Sequence, residues 1–258
     1  MFLAIDVGNS AVKGGLYEGA ERVRVFTVAT GAVDETAAAW RTALAPHLDG
    51  AAIEQVGLSS VVPATTERVT AALREHADVT PTLVRPTMPL PFRLDYETPE
   101  TLGGDRLAAA AAGWAQHGRV ATPPRSVLIV DAGTAVTCEV VRRDGVYAGG
   151  VIAAGPALTQ RALAAGTAQL PDVPLALPDG PVGRSTQGAL QSGIMWGVVD
   201  LVQGMLARLG DDLPDTPLVV LTGGWSGLLA EHLDRVDATN PHLVLDGVRV
   251  LVQGDADG

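Results

Sequence analysis

The chain has 258 residues and a formal net charge of −11, with 47% hydrophobic and 18% charged residues. This length allows one large domain or two medium ones with a sizeable core, and the composition is that of a soluble globular protein. Because the acidic field repels polyanions and no run of Lys and Arg interrupts it, the sequence disfavours nucleic acid and anionic membranes as partners.

The single cysteine, Cys138, excludes an internal disulfide framework and a multi-cysteine zinc site. The first residues lack the basic region of a secretory signal, and Asp6 falls inside their apolar stretch. No segment offers the roughly 18 uninterrupted apolar residues that a membrane span needs. We therefore expect a cytoplasmic protein, in which Cys138 is a core residue of a strand rather than a nucleophile.

The first half of the chain alternates between strand and helix patterns. Three β-compatible runs come first and predict a meander, and a helix, a strand that Pro63 ends, and a second helix follow. A Pro-rich connection then leads into an alanine-rich helix. The predicted strands are 2–7, 12–17, 22–28 and 55–61, the predicted helices are 34–47, 64–77 and 107–115, and the connection is 86–99. This alternation favours an α/β fold.

The second half opens with a repeat of the first pattern. The segment 126–141 is an apolar strand that ends in Asp-x-Gly and continues into a β-rich segment, as the start of the chain does. A separation of 125 residues relates Asp6 to Asp131 and Gly8 to Gly133. An internal duplication is the simplest explanation. The remaining predicted elements are a long helix over 186–209 and strands over 217–224 and 243–251.

The predicted helix over 186–209 is apolar on most of its surface, which indicates burial on more than one side. Its four glycines each weaken it by roughly 0.5–1 kcal/mol relative to alanine, which is understandable if another backbone packs closely against them. A central core helix and a helix at a subunit interface explain this pattern equally well. The glycines are Gly188, Gly193, Gly197 and Gly204.

Two loops at strand ends carry the chemistry of phosphate binding. Asp6 ends the first strand, a Gly-Asn-Ser turn follows, and Lys13 lies three residues beyond that turn. Backbone N–H groups and an ammonium can bind phosphate oxygens there, while the carboxylate orients a hydrated metal. The alternative is an ordinary hairpin turn with a surface lysine. The related loop Asp131-Ala132-Gly133-Thr134 favours the functional interpretation, because two such loops related by duplication would face each other across a nucleotide cleft.

Lys13 is also the single lysine of the chain, beside 17 arginines. Such a bias towards arginine predicts that a lysine persists where a compact point charge is needed, as on a phosphate.

Two further segments each admit a functional and a structural interpretation. Thr222-Gly223-Gly224 lets the backbone approach a flat ligand, or simply turns the chain from a strand into a helix. After Tyr96, the run Gly103-Gly104-Asp105-Arg106 places a carboxylate beside a guanidinium, which suits a small polar substrate with a hydroxyl and a carboxylate. From spacing alone, a helix cap by Asp105 with Arg106 as a surface charge is favoured.

Together, these segments resemble the type III pantothenate kinase family. The motifs occur in the family's order: DVGNSAVK, SSVVP at 59–63, YETPETLGGDR, DAGTAVT, GGVI at 149–152, Leu170-Pro171, RSTQGALQSG and LTGG. The likeness extends from residue 3 to residue 250. It implies the actin-like ATPase fold of acetate and sugar kinases, seventy-kilodalton heat-shock chaperones and actin. That fold has two duplicated ribonuclease-H-like α/β domains with a nucleotide cleft between them, which we place at 1–118 and 119–258.

The resemblance also implies a reaction, the transfer of a phosphoryl group from MgATP to pantothenate at the entry to coenzyme A synthesis. Asp105 would be the general base for the pantothenate hydroxyl, Asp131 would hold a potassium or ammonium ion, and Asp6 would orient the magnesium through water. The implied ATP-binding residues are Asp6, Val7, Gly8, Asn9, Ser10, Ala11, Val12 and Lys13, with Thr134 on the opposite side. The implied pantothenate-binding residues are Tyr96, Gly103, Gly104, Asp105 and Arg106, with Thr186 supplied across a homodimer interface.

Four positions depart from the family pattern, namely Ser10, Glu139, Ala154 and Ser185. None removes an implied catalytic group, although Glu139 bears on cation coordination and Ser185 on the substrate pocket. Two other functions stay open: a non-catalytic accessory or regulatory relative that binds nucleotide or pantothenate, and a kinase of the same superfamily for another small hydroxy acid or sugar. Because Asp6, Asp105 and Asp131 are all present, the sequence disfavours the accessory relative. The spacing from YETP to GGDR counts against another kinase of the superfamily only through the family resemblance.

Overall fold

The computed structural model describes residues 1–167 and 170–254, which form two compact units. The first unit contains residues 1–120, 145–147 and the described chain from His242 onward, and the second contains 121–144 and 148–241. The sequence-based division at 118/119 remains a prediction about domains. The structure adds that the C-terminal segment packs in the first unit, to which the chain returns after completing the second.

The strands and helices of the described residues follow each other in an alternating α/β order. The strands are β1 (Phe2–Val7), β2 (Ala11–Glu18), β3 (Glu21–Ala29), β4 (Gln55–Ser60), β5 (Thr82–Leu83), β6 (Arg93–Leu94), β7 (Val127–Ala132), β8 (Ala135–Arg142), β9 (Val146–Ala154), β10 (Leu218–Thr222) and β11 (Ala238–Thr239). The α-helices are α1 (Ala37–Leu48), α2 (Pro63–Ala77), α3 (Gly104–Gly113), α4 (Pro156–Gly166), α5 (Thr186–Asp211), α6 (Ser226–His232) and α7 (Leu243–Gln253).

The first unit is built on a sheet with the strand order β3-β2-β1-β4-β5. β1 pairs antiparallel with β2 and parallel with β4. Because side chains alternate between the faces of a strand, Leu3 and Ile5 enter a core cluster with Trp40 of α1. Asp6 lies on the other face, which α7 covers.

The second unit repeats the start of the first. β7 and β9 follow β1 and β3 by 125 residues, β7 pairs antiparallel with β8, and β10 runs parallel to β7 as β4 does to β1. The six-stranded sheet has the order β11-β10-β7-β8-β9-β6. The turn between β1 and β2 joins Val7 to Ala11, and the turn between β7 and β8, which joins Ala132 to Ala135, is one residue shorter. The predicted duplication is therefore visible in strand order, direction and length.

The predicted strand over 243–251 is wrong, because this segment is the helix α7. Each residue from Leu243 to Leu251 is buried, and the run of valines suggested a strand. The polar residues Asp246, Arg249 and Gln253 recur at the i, i+3, i+7 spacing of a helix, which is the signal that the strand prediction missed. α7 packs against α3, where Gly247 lies directly on the backbone of Ala108. The β-branched valines that suggested a strand are here accommodated by a helix with apolar neighbours around most of its surface.

Smaller differences concern helix limits. The first helix begins at Ala37 rather than at 34, since the Thr36 hydroxyl accepts a hydrogen bond from the N–H of Ala39 at 3.1 Å and caps it. The alanine-rich helix begins at Gly104 rather than at 107. The sequence interpretation contained neither α4 nor α6.

α5 is a 26-residue helix with two different sides. One side packs in the core of the second unit through Ser192, Ile194, Met195, Val198, Val199, Val202 and Leu206. The other carries Gly193, Gly197 and Gly204, and no atom of the described chain comes within 4 Å of where their Cβ atoms would be. Within the described chain, the close backbone partner that we expected at these three glycines is not present. None of the helices in the described ranges has the length and hydropathy of a membrane span.

Candidate functional site

Asp6 and Lys13 lie directly opposite each other on the antiparallel strands β1 and β2. Residues opposite each other in such a pair project from the same face, with Cβ atoms roughly 5 Å apart. The turn between the strands is closed by the N–H of Gly8, which donates to the carbonyl of Ala11 at 3.0 Å. A carboxylate and an ammonium thus flank a tight turn, as the sequence interpretation requires.

Ser59 is a residue of this corner that the sequence interpretation assigned no role. It is completely buried near the end of β4, paired in register with Asp6, and its hydroxyl donates to Oδ1 of Asp6 at 3.2 Å. In the sequence, the segment SSVVP at 59–63 contributes only to the family resemblance. The parallel register of β1 and β4, which places Ser59 beside Asp6, is the signal that identifies it.

The Gly103-Gly104-Asp105-Arg106 run begins α3 next to this corner. A Cβ on Gly104 would lie 3.3 Å from the carbonyl oxygen of Val84 and 3.5 Å from Oγ of Ser59, so a glycine allows the backbone to come this close. The predicted helix cap by Asp105 is wrong, because the N-cap residue is Gly103 and Asp105 lies in the first turn. There the Asp105 carboxylate accepts a hydrogen bond from the Arg106 N–H at 2.8 Å, where the helix dipole favours a negative charge.

The interpretation of Arg106 as a surface charge is also wrong, since the residue is only 8% exposed. Its Nη2 donates to the hydroxyl of Tyr147 at 3.2 Å, and its Nη1 lies 3.5 Å from the hydroxyl of Tyr96. The rings of Tyr96 and Tyr147 meet edge to face with centroids 5.9 Å apart. A buried guanidinium needs such polar neighbours, and the two tyrosines hold a fixed positive charge beside their rings.

The charge of Lys13 acts on the imidazole of His242. His242 precedes α7, and burial lowers its pKa. The Arg22 and Lys13 cations lower that pKa further, against the carboxylate of Asp246, which raises it. The imidazole therefore carries no charge at neutral pH and adds no positive charge beside Lys13.

The second unit presents the related loop at the end of β7. Asp131 occupies the register position of Asp6, with Thr137 opposite it on β8 and Thr222 beside it on β10. Gly223 adopts φ +87°, and a Cβ there would collide with Oδ1 of Asp131 and the carbonyl oxygen of Ala132. The Thr222-Gly223-Gly224 turn is therefore the backbone wall of the Asp131 loop, which its glycine at positive φ permits.

Thr134 and Thr186 occupy different parts of the second unit. Thr134 lies in the turn after β7, and its carbonyl accepts a hydrogen bond from the N–H of Gly155 at 3.0 Å. Thr186 is the exposed first residue of α5, and the hydroxyl of Ser185 caps that helix by accepting from the N–H of Gly188 at 3.0 Å. Ser185 therefore supplies the helix cap at the position where it departs from the family pattern.

The structure thus brings the expected phosphate loop and the expected substrate run together within the first unit. Among residues 1–167 and 170–254, no three His, Cys, Asp or Glu side chains cluster as a metal-binding group. A divalent cation here would depend on few protein ligands, as magnesium bound together with substrate phosphates does.

The amino-acid sequence matches one family over most of its length. Residues 2–208 match the family described as Type III pantothenate kinase. The chain is 39% identical to the type III pantothenate kinase of Rhodospirillum centenum, with 99% of both chains covered. It is 32% identical to that of Geotalea daltonii, with 98% of both covered.

Comparison with solved structures confirms the fold prediction of two duplicated ribonuclease-H-like domains of the actin-like ATPase class. A conserved Baf family protein from Campylobacter jejuni superimposes with a TM-score of 0.59 at 20% identity, covering 99% of this chain and 100% of the other. The ethanolamine utilization protein EutJ from Carboxydothermus hydrogenoformans superimposes with a TM-score of 0.54 at 13% identity, covering 96% and 89%.

Proposed function

Because this chain belongs to the type III pantothenate kinase family, we propose that it transfers the γ-phosphoryl group of ATP to the hydroxyl of pantothenate. The product is 4′-phosphopantothenate, and the reaction is the first step of coenzyme A biosynthesis. One observation in the structure carries most of the support. Ser59 contacts Asp6 of the phosphate loop and also borders Gly104 of the substrate run, so both parts meet at one buried side chain.

Asp105 is the proposed general base. Its carboxylate is half-buried at the start of α3, and its hydrogen bond to the Arg106 N–H orients it. A carboxylate in this position can accept the proton of the pantothenate hydroxyl as that oxygen attacks phosphorus. Tyr96, Gly103, Gly104 and Arg106 are the proposed pantothenate contacts, and the buried Arg106 guanidinium is suited to the pantothenate carboxylate.

The residues from Asp6 to Lys13 are the proposed phosphate-binding loop. The backbone N–H groups of a tight turn and the ammonium of Lys13 offer positive charge to phosphate oxygens in a molecule whose net charge is −11. In the second unit, we assign Thr134 to the ATP phosphates as well.

Two cations belong to the proposal, and the oxygen-rich loops fit them. Asp6 would hold magnesium through water, since a magnesium ion bound together with substrate phosphates needs few protein ligands. Asp131 would hold potassium or ammonium, and the cradle that a Cβ at Gly223 would fill brings the Asp131 carboxylate beside the carbonyl oxygen of Ala132. When bound, these ions neutralise charge on the phosphates.

The test of the proposed reaction is Asp105→Asn, with the exposed Glu100→Gln as the matched control. We expect Asp105→Asn to lower kcat by about 10²- to 10⁴-fold, the range for loss of a general base, and Glu100→Gln to leave it unchanged. ATP consumption is measured with pantothenate, with other small hydroxy acids and with sugars, each with and without potassium. Near wild-type turnover by Asp105→Asn would refute the base assignment. No turnover on any substrate by the wild type would favour an accessory protein, and turnover on another substrate alone would favour a different kinase.

A homodimer and a cytoplasmic location complete the proposal. The glycine side of α5, with Gly193, Gly197 and Gly204 open, supports a subunit contact there, and the exposed Thr186 could then contribute to the partner's pantothenate pocket. Sedimentation of the wild type and of Gly197→Trp tests this: we expect a dimer that the variant dissociates. A wild type that sediments only as a monomer would remove Thr186 from the site. The single buried cysteine accords with a reducing compartment.

A further inference from the structure

We infer that Tyr147 is a positioning residue of the pantothenate pocket, which orients both Arg106 and the segment that carries Tyr96. The inference rests on the proposed function, because that function defines the pocket. Residues 145–147 pack in the first unit, although the chain immediately before and after them packs in the second. These three residues bring one tyrosine from the second half of the sequence into the wall of the proposed pocket.

The hydroxyl of Tyr147 orients the guanidinium. Tyr147 is completely buried, and its oxygen accepts a hydrogen bond from Nη2 of Arg106 at 3.2 Å. The contact from Nη1 to the hydroxyl of Tyr96, at 3.5 Å, is at the limit of a hydrogen bond. Because a guanidinium is planar and its donors point in fixed directions, a hydrogen bond to Nη2 restricts the direction in which the whole group faces.

The backbone of Tyr147 holds the strand before Tyr96. β6 and β9 pair in parallel, with Leu94 in register with Tyr147. The N–H of Asp95 donates to the carbonyl of Tyr147 at 2.9 Å, so the residue directly before Tyr96 is attached to this segment. The ring of Tyr147 also stacks on Phe92 at 5.7 Å and meets the ring of Tyr96 edge to face. One residue therefore contacts both proposed pocket side chains, Arg106 and Tyr96.

This arrangement predicts a particular kinetic effect. Arg106 binds the substrate in the ground state and in the transition state alike, so a misaligned Arg106 raises the KM for pantothenate more than it lowers kcat. ATP binding depends on the phosphate loop, which Tyr147 does not contact in the interactions described above. A residue needed merely for folding would instead lower the amount of active enzyme, and with it the apparent kcat, while both KM values stay unchanged.

The experiment is Tyr147→Phe, which removes the hydroxyl and keeps the ring. We expect the KM for pantothenate to rise about tenfold, the size of one hydrogen bond to a charged group, while the KM for ATP stays within about twofold. The matched control is Tyr17→Phe, which also removes a buried hydroxyl from the first unit, where it donates to Asp246 at 2.7 Å. The control is expected to lower the unfolding temperature and to leave the pantothenate KM unchanged.

Tyr147→Phe in an Arg106→Lys background distinguishes a role of Tyr147 in orienting Arg106 from a role in packing alone. If Tyr147 acts through Arg106, Tyr147→Phe has little further effect on the pantothenate KM in that background. If Tyr147→Phe does not fold, as judged by thermal unfolding, Phe92→Leu removes the ring that Tyr147 stacks on and should raise the pantothenate KM in the same selective way.

Three results would overturn the inference alone while wild-type activity is present: an unchanged pantothenate KM, an equal change in the KM of both substrates, or an equal effect in the Arg106→Lys background. A wild-type protein without turnover on pantothenate would overturn the proposed function, and this inference with it.

Discussion

The hydroxyl of Ser59 donates a hydrogen bond to Oδ1 of Asp6 across 3.2 Å, at the point where the parallel strands β1 and β4 end together. A Cβ on Gly104 would lie 3.5 Å from the same hydroxyl oxygen. A second contact joins these strands one step further on, where the N–H of Val61 donates to the carbonyl of Val7 at 3.2 Å. Ser59 therefore connects the carboxylate of the proposed phosphate loop to the start of α3.

This contact predicts the outcome of Ser59→Ala. Without the hydroxyl, the Asp6 carboxylate is less well oriented, so we expect kcat/KM for ATP to fall about tenfold. The KM for pantothenate should change much less, and initial rates at varied ATP and pantothenate measure both.

The neighbouring Ser60 provides the matched control. Its hydroxyl accepts a hydrogen bond from the N–H of Val62 at 3.0 Å, at the start of α2 and not at the phosphate loop. Ser60→Ala should therefore reduce stability by about 1 kcal/mol through the lost hydrogen bonds to Val62 and Thr66, without a specific effect on ATP. Equal ATP kinetics in Ser59→Ala and wild type would show that Ser59 does not orient Asp6.

Lys13→Arg tests the requirement for a compact charge opposite Asp6. The guanidinium is larger and planar, so it cannot occupy the same point near a phosphate oxygen. We expect kcat/KM for ATP to fall by about 10- to 100-fold. Arg24→Lys on the adjacent strand, where Arg24 donates to the carbonyl of His47 at 2.8 Å, makes the reverse exchange at an exposed site and should be neutral. A fully active Lys13→Arg enzyme would contradict the role of Lys13.

Gly247→Ala tests the packing of the C-terminal helix. A Cβ at Gly247 would collide with the carbonyl group of Ala108, and backbone cannot move aside as a flexible side chain can. We expect the free energy of unfolding to fall by about 1–3 kcal/mol, measured by urea denaturation.

Gly227→Ala in α6 is the control for this packing, because no described atom lies within 4 Å of the added Cβ position. It should leave stability unchanged or raise it by up to about 1 kcal/mol. If both variants were equally stable, α7 would not approach α3 as described.

Cys138 should be unreactive in the folded protein. Burial raises the pKa of its thiol well above the usual range, and the adjacent Glu139 carboxylate raises it further. Since the thiolate is the reactive form, labelling by a thiol reagent at pH 8 should require unfolding. Native protein that labels as fast as protein in urea would show that Cys138 is accessible and not a core residue.

The strand meander, the turn at Gly8 and the duplication were predictable because they depend on local patterns. Strand periodicity and turn residues depend on a few neighbouring positions. The repeat of Asp-x-Gly after 125 residues can be seen in the sequence without any knowledge of tertiary contacts. The family match confirms the kinase and its fold class. The roles of Asp105, Asp131 and Thr186 stay predictions that the variants above can test.

Burial and contact partners were decided by the tertiary structure. Arg106 lies in the first turn of a helix, where the sequence favours a surface charge. In the structure its guanidinium is buried and donates a hydrogen bond to Tyr147, which is 41 residues away in the sequence. Residues 243–251 have the composition of a buried strand, whereas the structure makes them a helix that packs against α3. Burial and hydrogen bonding of this kind arise from segments that are distant in the chain, so local propensity cannot determine them. The acidic, lysine-poor sequence by itself determined that positive charge for two anionic substrates must be local. The tertiary structure decided where the two cations that we propose for this role lie: Lys13 is opposite Asp6, and Arg106 is buried against Tyr147.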